Sequence, residues 1–451
     1  MLESSAQAPK KYETGEIKNR DKNKLFHSDR QFHDWYRFVL SFPPQLVRDY
    51  FLRFELEKGK VVLDPFCGTG TTLVEAKFAG FQGLGFEANH FAQFASETKL
   101  DWSIDGAEFL DAARTIRQTA LEELARLEIS DDGGNESVTR KKLRRLDNER
   151  QKLLLKDSIS ELPLHKSLVL LEEIRRHQNT GLYKSLALAL ANVVVFKSSN
   201  LRFGPEVGIG KVKDDAPVIG PWFEQVQRMN HDLLSISGHS FPAARVIRGD
   251  SRQINKRLKP KSVDAVITSP PYPNEKDYTR TTRLESVLLD LVRTKDELRT
   301  MKKGLLRSNT RGVYKEDDDD RYVQNVFKVQ RLADEIEERR ISLGKTSGFE
   351  RMYAKVTKLY FGGMARHFEE MKPYLSKNAR LAYVVGDQAS YLQVMIRTGH
   401  ILGEIAESLG YVDINIVPFR TRFSTATKSN LNEEVVTFRW PGSNKREKNR
   451  K

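Results

Sequence analysis

The chain has 451 residues, of which 39% are hydrophobic and 30% charged, a balance that excludes a disordered or membrane-embedded polypeptide and suggests two or three folding units. Its 75 Lys and Arg against 61 Asp and Glu leave a net charge of +14, which favours a polyanionic partner through counterion release. A single cysteine, Cys67, excludes an internal disulfide and a cysteine-based zinc site. No apolar run approaches the roughly 20 residues that span a bilayer, and the start, MLESSAQAPKKYETGEIKNR, has no apolar signal core. The chain is therefore expected in the cytoplasm.

In chain order, the first 24 or so residues are polar and aperiodic, and the tail from Asn444 to Lys451 is almost wholly charged. Both ends are expected to be mobile and basic. At Phe42 the pattern changes: FPPQLVRDYF predicts a helix begun by Pro43 and Pro44, since a proline in the first turn has no needed amide to lose. The apolar run Val61, Val62, Leu63 predicts a buried strand ending at Asp64. From Asp101 to about His239 the pattern is helical, with Phe109, Ala113, Ile116, Ala120, Leu124 and Leu127 recurring at three- and four-residue steps. DDGGN, Asp131 to Asn135, breaks it. The basic run Thr139 to Lys156 then predicts a second helix with a solvated face, the alternative being a DNA-phosphate surface. Ala244–Ile247 and Val263–Thr268 read as short buried strands. A polar, helix-rich stretch follows from about Glu285 to Lys358, and its acidic run Glu316 to Asp320 is expected as an exposed loop. Strand signals return at Arg380–Val385, Val412–Pro418 and Glu434–Phe438. Strands separated by helical segments predict a mostly parallel α/β sheet with two large helical insertions.

Two segments carry chemistry. In VVLDPFCGTGTTLVEA, Val61 to Ala76, a strand, a turn with Gly68 and Gly70, and a helix from about Thr71 bring backbone N–H groups and a helix N-terminus to a ligand. Leu73 stands where a dinucleotide fingerprint has its third glycine, which disfavours a nicotinamide or flavin. Glu87 closes the next apolar stretch, 17 residues past Gly70, where a Rossmann-like sheet hydrogen-bonds ribose hydroxyls; an ordinary surface acid is the alternative. The second segment is DAVITSPPYPN, Asp264 to Asn274. Its prolines hold Ser269 to Tyr272 extended and leave the Pro270 carbonyl outside helix or ladder. Such a loop presents a hydroxyl, a carbonyl and an aromatic face to a planar substrate.

DPFCGTGTT followed by TSPPY, with Glu87 between them, resembles the amino-methyltransferase family of DNA methylases. Ile267 to Tyr272 looks like its cytosine-N4 form, since adenine-N6 relatives usually carry Asp or Asn where Ser269 stands. The resemblance covers about 24–89 and 245–283 well, 360–440 loosely and the insertions poorly. It implies a Rossmann-like class I methyltransferase sheet, mostly parallel with an antiparallel C-terminal hairpin, and S-adenosylmethionine as cofactor without a metal. In FPPQLV, Phe42 and Pro43 would shield the methionine end of that cofactor; Asp250, beside Ser251, would contact its adenine amino group. Asp64, Pro65, Phe66, Gly68, Gly70, Thr71, Thr72 and Glu87 would complete its site. Ser269 and the Pro270 carbonyl, with Pro271 behind them, would accept the hydrogens of an exocyclic amine, and Tyr272 would stack on a flipped base. Asn274, Arg280, Arg283 and Arg202 are expected at the DNA.

The resemblance divides the chain into a flexible N-terminus (1–24), a cofactor half (25–100), a helical insertion that embraces the duplex (101–240), a catalytic part (241–284), an insertion that recognises the target (285–359), the rest of the sheet (360–440) and a basic tail (441–451). Gly204–Glu206 is expected as a loop facing the active site, or as an ordinary turn. The implied reaction is methylation of cytosine N4 in double-stranded DNA, in restriction-modification with a cognate endonuclease or in phage defence with other subunits. Adenine-N6 methylation is the nearest alternative. An RNA guanine-N2 methyltransferase, which usually carries Asp-Pro-Pro-Tyr, and an inactive DNA-binding module are more distant. Carbon-5 methylation normally needs a cysteine nucleophile, and Cys67 lies in the glycine loop instead.

Overall fold

The apolar runs form strands that alternate their burial between two helical layers. The computed structural model describes residues 18–19, 21–38, 41–135, 140–204, 206–254, 257–274, 276–424 and 428–442, so the mobile ends expected from the sequence fall almost wholly outside the described residues. The strands are β1 (Val61–Asp64), β2 (Gln82–Glu87), β3 (Leu201–Phe203), β4 (Val207–Ile209), β5 (Ala244–Arg248), β6 (Val263–Thr268), β7 (Leu375–Gly386), β8 (Val412–Ser424) and β9 (Ser429–Arg439). Seven of them make one sheet in the order β5-β2-β1-β6-β7-β9-β8. The first five are mutually parallel, β9 runs antiparallel to β7, and β8 pairs antiparallel with β9. This is the expected mostly parallel sheet with an antiparallel C-terminal hairpin.

Of the helices, α1 (Pro44–Arg53), which precedes β1, and α2 (Thr71–Phe78) and α3 (His90–Leu100), which follow β1 and β2, come first. Pro43 is the N-cap of α1, so the helix begins at Pro44. Val62, Ile267, Ala382, Val384 and Val435 share a core with Leu46, Val47 and Tyr50 of α1 and Ala76 of α2. Their neighbours Leu63, Val266, Leu381, Tyr383, Val385 and Val436 belong to a second core, on the opposite pleat.

The first insertion is a helical block: α4 (Gly106–Arg126), α5 (Asn148–Leu153), α6 (Glu161–Arg175), α7 (Tyr183–Val193) and α8 (Ile219–Ser235). α4 starts where the Asp105 side chain accepts from the Glu108 amide, and it buries Phe109, Ala113, Ile116, Ala120 and Leu124 as its periodicity predicts. The helix expected over 139–156 does not form as one piece. Residues 136–139 lie outside the described ones, and the rest is a single turn at Arg140–Lys142 and then α5, which starts at the Asp147 cap. Three of its arginines pair with the protein's own carboxylates: Arg144 with Glu123 and Glu172, Arg145 with Glu161, and Arg150 with Asp147 and Asp290. Strands β3 and β4 form a small antiparallel hairpin that the sequence pattern did not announce.

The second insertion and the end of the chain contribute α9 (Tyr278–Thr281), α10 (Arg283–Leu288), α11 (Lys295–Lys303), α12 (Phe327–Ser342), α13 (Tyr353–Met371) and α14 (Thr398–Ser408). The second core is filled from α12, α13 and α14. The acidic run 316–320 is not a wholly exposed loop: Asp319 is buried, paired with Arg252 and Arg366. Among the described residues no helix is long and apolar enough to cross a membrane.

Candidate active site at the sheet switch point

Strand order reverses between β1 and β6, because the chain winds outward from β1 through β2 to β5 and from β6 to β7 on the other side. The crevice at the carboxyl ends of such strands is where open α/β sheets bind ligands. Here it is a cavity of about 750 Å³, and the loops after β1, β2, β5 and β6 all line it. Of the residues expected at the site, Phe42, Pro65, Phe66, Gly68, Thr71, Glu87, Ser251, Ser269, Pro270, Pro271, Tyr272 and Asn274 reach its wall. Pro43, Asp64, Gly70, Thr72, Asp250, Arg202, Arg280 and Arg283 are not among its lining residues.

The glycine loop turns on two left-handed residues, Gly68 at φ +52° and Gly70 at φ +85°. They differ in surroundings. A Cβ on Gly68 would meet nothing within 4 Å, whereas one on Gly70 would lie 2.3 Å from Ser96 Oγ of α3. Gly68 therefore leaves room for a ligand, and Gly70 leaves room for the protein's own helix. Below the loop, the buried Lys99 ammonium donates to the Thr69 carbonyl at 2.8 Å and to the Tyr36 carbonyl at 3.4 Å. Burial pushes its pKa down to about 7. Thr72 is buried, with its hydroxyl donating to the Ile267 carbonyl at 3.1 Å, so it ties α2 to β6. Asp64 Oδ1 accepts from the Thr268 hydroxyl at 2.5 Å and the Phe66 amide at 3.1 Å. Its Oδ2 is buried without a partner among the described residues, and burial raises the carboxyl pKa to about 6.

Glu87 closes β2 with both oxygens in use. Oε2 accepts from the Gly68 amide at 2.8 Å and Oε1 from the Asn89 amide at 2.7 Å. Burial lifts its carboxyl to about 7 despite these bonds, with Asp64 adding repulsion. Asp250 is held in a fork by Arg252, through contacts of 2.7, 2.9 and 3.1 Å, while its neighbours Gly249 and Ser251 line the cavity.

In the proline loop, the Ser269 hydroxyl donates to the Val384 carbonyl of β7 at 3.1 Å. The Tyr272 amide donates to the Tyr278 hydroxyl at 3.3 Å, and the Tyr272 side chain is half-buried in the cavity wall, its phenol pKa raised by desolvation. Arg283 is also buried, and its guanidinium is consumed by Thr279 and the Leu153 carbonyl. That removes it from any surface where DNA could lie. Arg202 is exposed on β3, and Glu206, after the undescribed Pro205, lines the cavity.

Sequence reasoning missed a roof formed by residues 302–312. The Asn274 backbone amide and the Tyr391 hydroxyl both donate to the Ser308 carbonyl, at 2.9 and 3.0 Å, and the Asn309 side-chain Nδ2 donates to the Lys276 carbonyl at 3.1 Å. Arg252 also donates to the carbonyls of Lys303 and Leu305. A charged rim was missed as well: Arg420 makes a two-pronged pair with Glu433, and Arg422 donates to the Asp387 carbonyl at 3.0 Å. The only sequence signal for either was the basic side chain two positions after Asp250.

A family model for DNA methylases that act at N6 and N4 matches residues 4–97, through the flanking motif, the glycine loop and Glu87. The chain is 26% identical over 424 residues to the Type II methyltransferase M.BsoBI of Geobacillus stearothermophilus, covering 88% of this chain and 82% of that one. It is likewise 26% identical over 400 residues to the Type II methyltransferase M.AvaI of Nostoc sp., covering 84% and 78%. The chain is similar to the amino-methyltransferase family of DNA methylases, a resemblance that the family model and both relatives support. It is thus a DNA methyltransferase, and methyltransferases of this type use S-adenosylmethionine.

The methylase's cavity fits that cofactor on its own chemistry. Open space faces Gly68, a paired carboxylate stands at Glu87, and Phe66 offers an aromatic wall. Among the described residues no group of three or more His, Cys, Asp or Glu side chains is placed to hold a metal. The Cys67 thiol is buried, 3.9 Å from Ser96 Oγ, and burial beside Glu87 and Asp64 pushes its pKa well up, so it is kept from ionising.

Proposed function

We propose that this methylase methylates the N4 amine of a cytosine flipped out of duplex DNA. The observation that carries this reading is the Ser269 hydroxyl. Its proton is given to the Val384 carbonyl, so its lone pairs are left to accept a hydrogen from the substrate amine. With the Pro270 carbonyl as a second acceptor, the loop would draw the amine out of conjugation with the ring and hold its lone pair in line for transfer. When bound, S-adenosylmethionine supplies an electrophilic methyl group on its sulfonium. Glu87 would hold the ribose hydroxyls, the backbone at Gly68 and Thr69 the polar tail, Ser251 the adenine side, and Phe42 the methionine end. Tyr272, half-buried in the cavity wall, would stack on the flipped base. A cysteine nucleophile is not needed, and the protonated state of Cys67 argues against carbon-5 chemistry.

Flipping costs a few kcal/mol of unstacking, which phosphate contacts of this basic chain would offset. Asn274, Arg280 and Arg202 remain the side chains proposed to meet DNA, with 285–359 reading the target and 101–240 embracing the duplex. The Type II names of the relatives support a role in restriction-modification; a place in the cytoplasm beside a cognate endonuclease belongs to the same proposal. Adenine-N6 methylation stays as a second reading because the matching family model covers both reactions. Mass spectrometry of nucleosides from DNA methylated by the purified protein tests the assignment. N4-methylcytosine is expected; N6-methyladenine would replace the base, and 5-methylcytosine would overturn the mechanism.

A further inference from the structure

The proline loop accounts for the amine of the target base and leaves the rest of its edge unread. In cytosine, and equally in adenine, the ring atom beside the amine is an unprotonated nitrogen, a hydrogen-bond acceptor. A pocket that accepts from the amine and donates to this nitrogen recognises the pair as a unit, as carboxamides do with adenine in DNA grooves.

Gln388 has the chemistry and the place for that donor. It lies two residues beyond Gly386, where an added Cβ would stand 3.1 Å from Cε2 of the Tyr272 ring. It lines the same cavity as Ser269 and Tyr272. Its backbone is locked, since its amide donates to the Ile396 carbonyl at 3.1 Å and its carbonyl accepts from the Ile396 amide at 2.7 Å. The residue is 4% exposed, yet its side-chain Nε2 has no hydrogen-bond partner among the described residues. Buried polar groups are nearly always satisfied, and an amide left unpaired in a residue beside the cavity is accounted for by a ligand that the carboxamide turns to meet. The neighbouring cation Arg422 is already committed to the Asp387 carbonyl and lies 3.6 Å from Glu433. We infer that Gln388 is the specificity residue that reads the ring edge, its carboxamide donating to the ring nitrogen adjacent to the amine held by Ser269. The inference rests on the reading of Ser269 as amine acceptor and holds for either base.

The test is a cycle of two enzymes and two substrates, read as single-turnover rates. Wild type and Gln388→Met are compared on duplexes with cytosine or 3-deazacytosine, which lacks the ring acceptor, at the target position. Any weaker pairing of the analogue is common to both enzymes and cancels. Loss of one ordinary hydrogen bond corresponds to roughly tenfold, so wild type should discriminate against the analogue about tenfold more than the variant does. Equal discrimination by the two enzymes overturns the inference, because a merely structural glutamine would slow both substrates alike. Where circular dichroism shows Gln388→Met misfolded, Gln388→Leu is used in the same cycle, since its side chain cannot donate. If the product proves to be N6-methyladenine, the cytosine assignment fails alone, and the cycle is run with 1-deazaadenine.

Discussion

The glycine loop after β1 and the proline loop after β6 flank one cavity but are built in opposite senses. In the glycine loop the backbone faces outward and the side chains are tucked away: Thr72 bonds to Ile267, Cys67 sits against Ser96, and Gly70 makes space for α3. The proline loop has given up two amides and shows the ligand a hydroxyl, a carbonyl and a ring. Residues of the first loop are thus chosen for what their side chains avoid, and those of the second for what they offer. Substitutions should divide along that line, the first kind acting through stability or cofactor binding and the second through the chemical step.

The largest effect should come from Ser269→Ala. Loss of one preorganised acceptor corresponds to about 2.7 to 4 kcal/mol, or roughly 10²- to 10³-fold in single-turnover rate, with cofactor and DNA affinity little changed. A loss confined to DNA affinity would break the comparison. Gly70→Ala should come next, and it should act on folding. A left-handed alanine costs about 1 to 2 kcal/mol and the overpacking against Ser96 about 1 to 3 more, read as a fall in unfolding free energy. Ser96→Ala in the same background should recover the overpacking part. Unchanged stability with lost cofactor affinity would instead put Gly70 at the ligand.

Glu87→Ala should weaken cofactor binding by about 1.5 to 3 kcal/mol, the range of hydrogen bonds to a charged group, as measured by calorimetry. The smallest effect sharpens the same point by pH. Burial places the Glu87 carboxyl near 7, and the carboxylate is the form that accepts ribose hydroxyls. Affinity should be full above that value and decline as pH falls through it, by about tenfold for the first full unit below. Glu87→Gln should flatten the profile; a profile unaltered in the variant would assign the titration to another group.

The sheet was legible because β1, β2, β6 and β7 are apolar on both faces, and runs such as Val61–Leu63 leave a trace in sequence that needs no partner. The amphipathic stripe of α4 was legible for the same reason. The two loops were found by motif, but spacing says nothing about the direction in which a side chain points. Gly70 and Thr72 look like Gly68 and Thr71 in the sequence, and only packing against Ser96 and Ile267 separates them. Asp250 is a similar case: its carboxylate is claimed by Arg252, and Arg252 reaches Asp319, 67 positions away. Contacts at that separation carry no periodic signal. Gln388 had none either, since an isolated glutamine after a strand is unremarkable until its amide is found buried and unpaired.

The roof at 302–312 bears on engineering. Its Ser308 carbonyl holds the backbone of Asn274 and the hydroxyl of Tyr391, so the proline loop and the segment after β7 are fastened to the second insertion. An exchange of the whole block 285–359 between relatives would therefore remove one wall of the reaction chamber together with whatever reads the sequence. Chimeras joined after Gly312 would leave that wall native, and their changes in site preference could be measured without a change in the chamber itself.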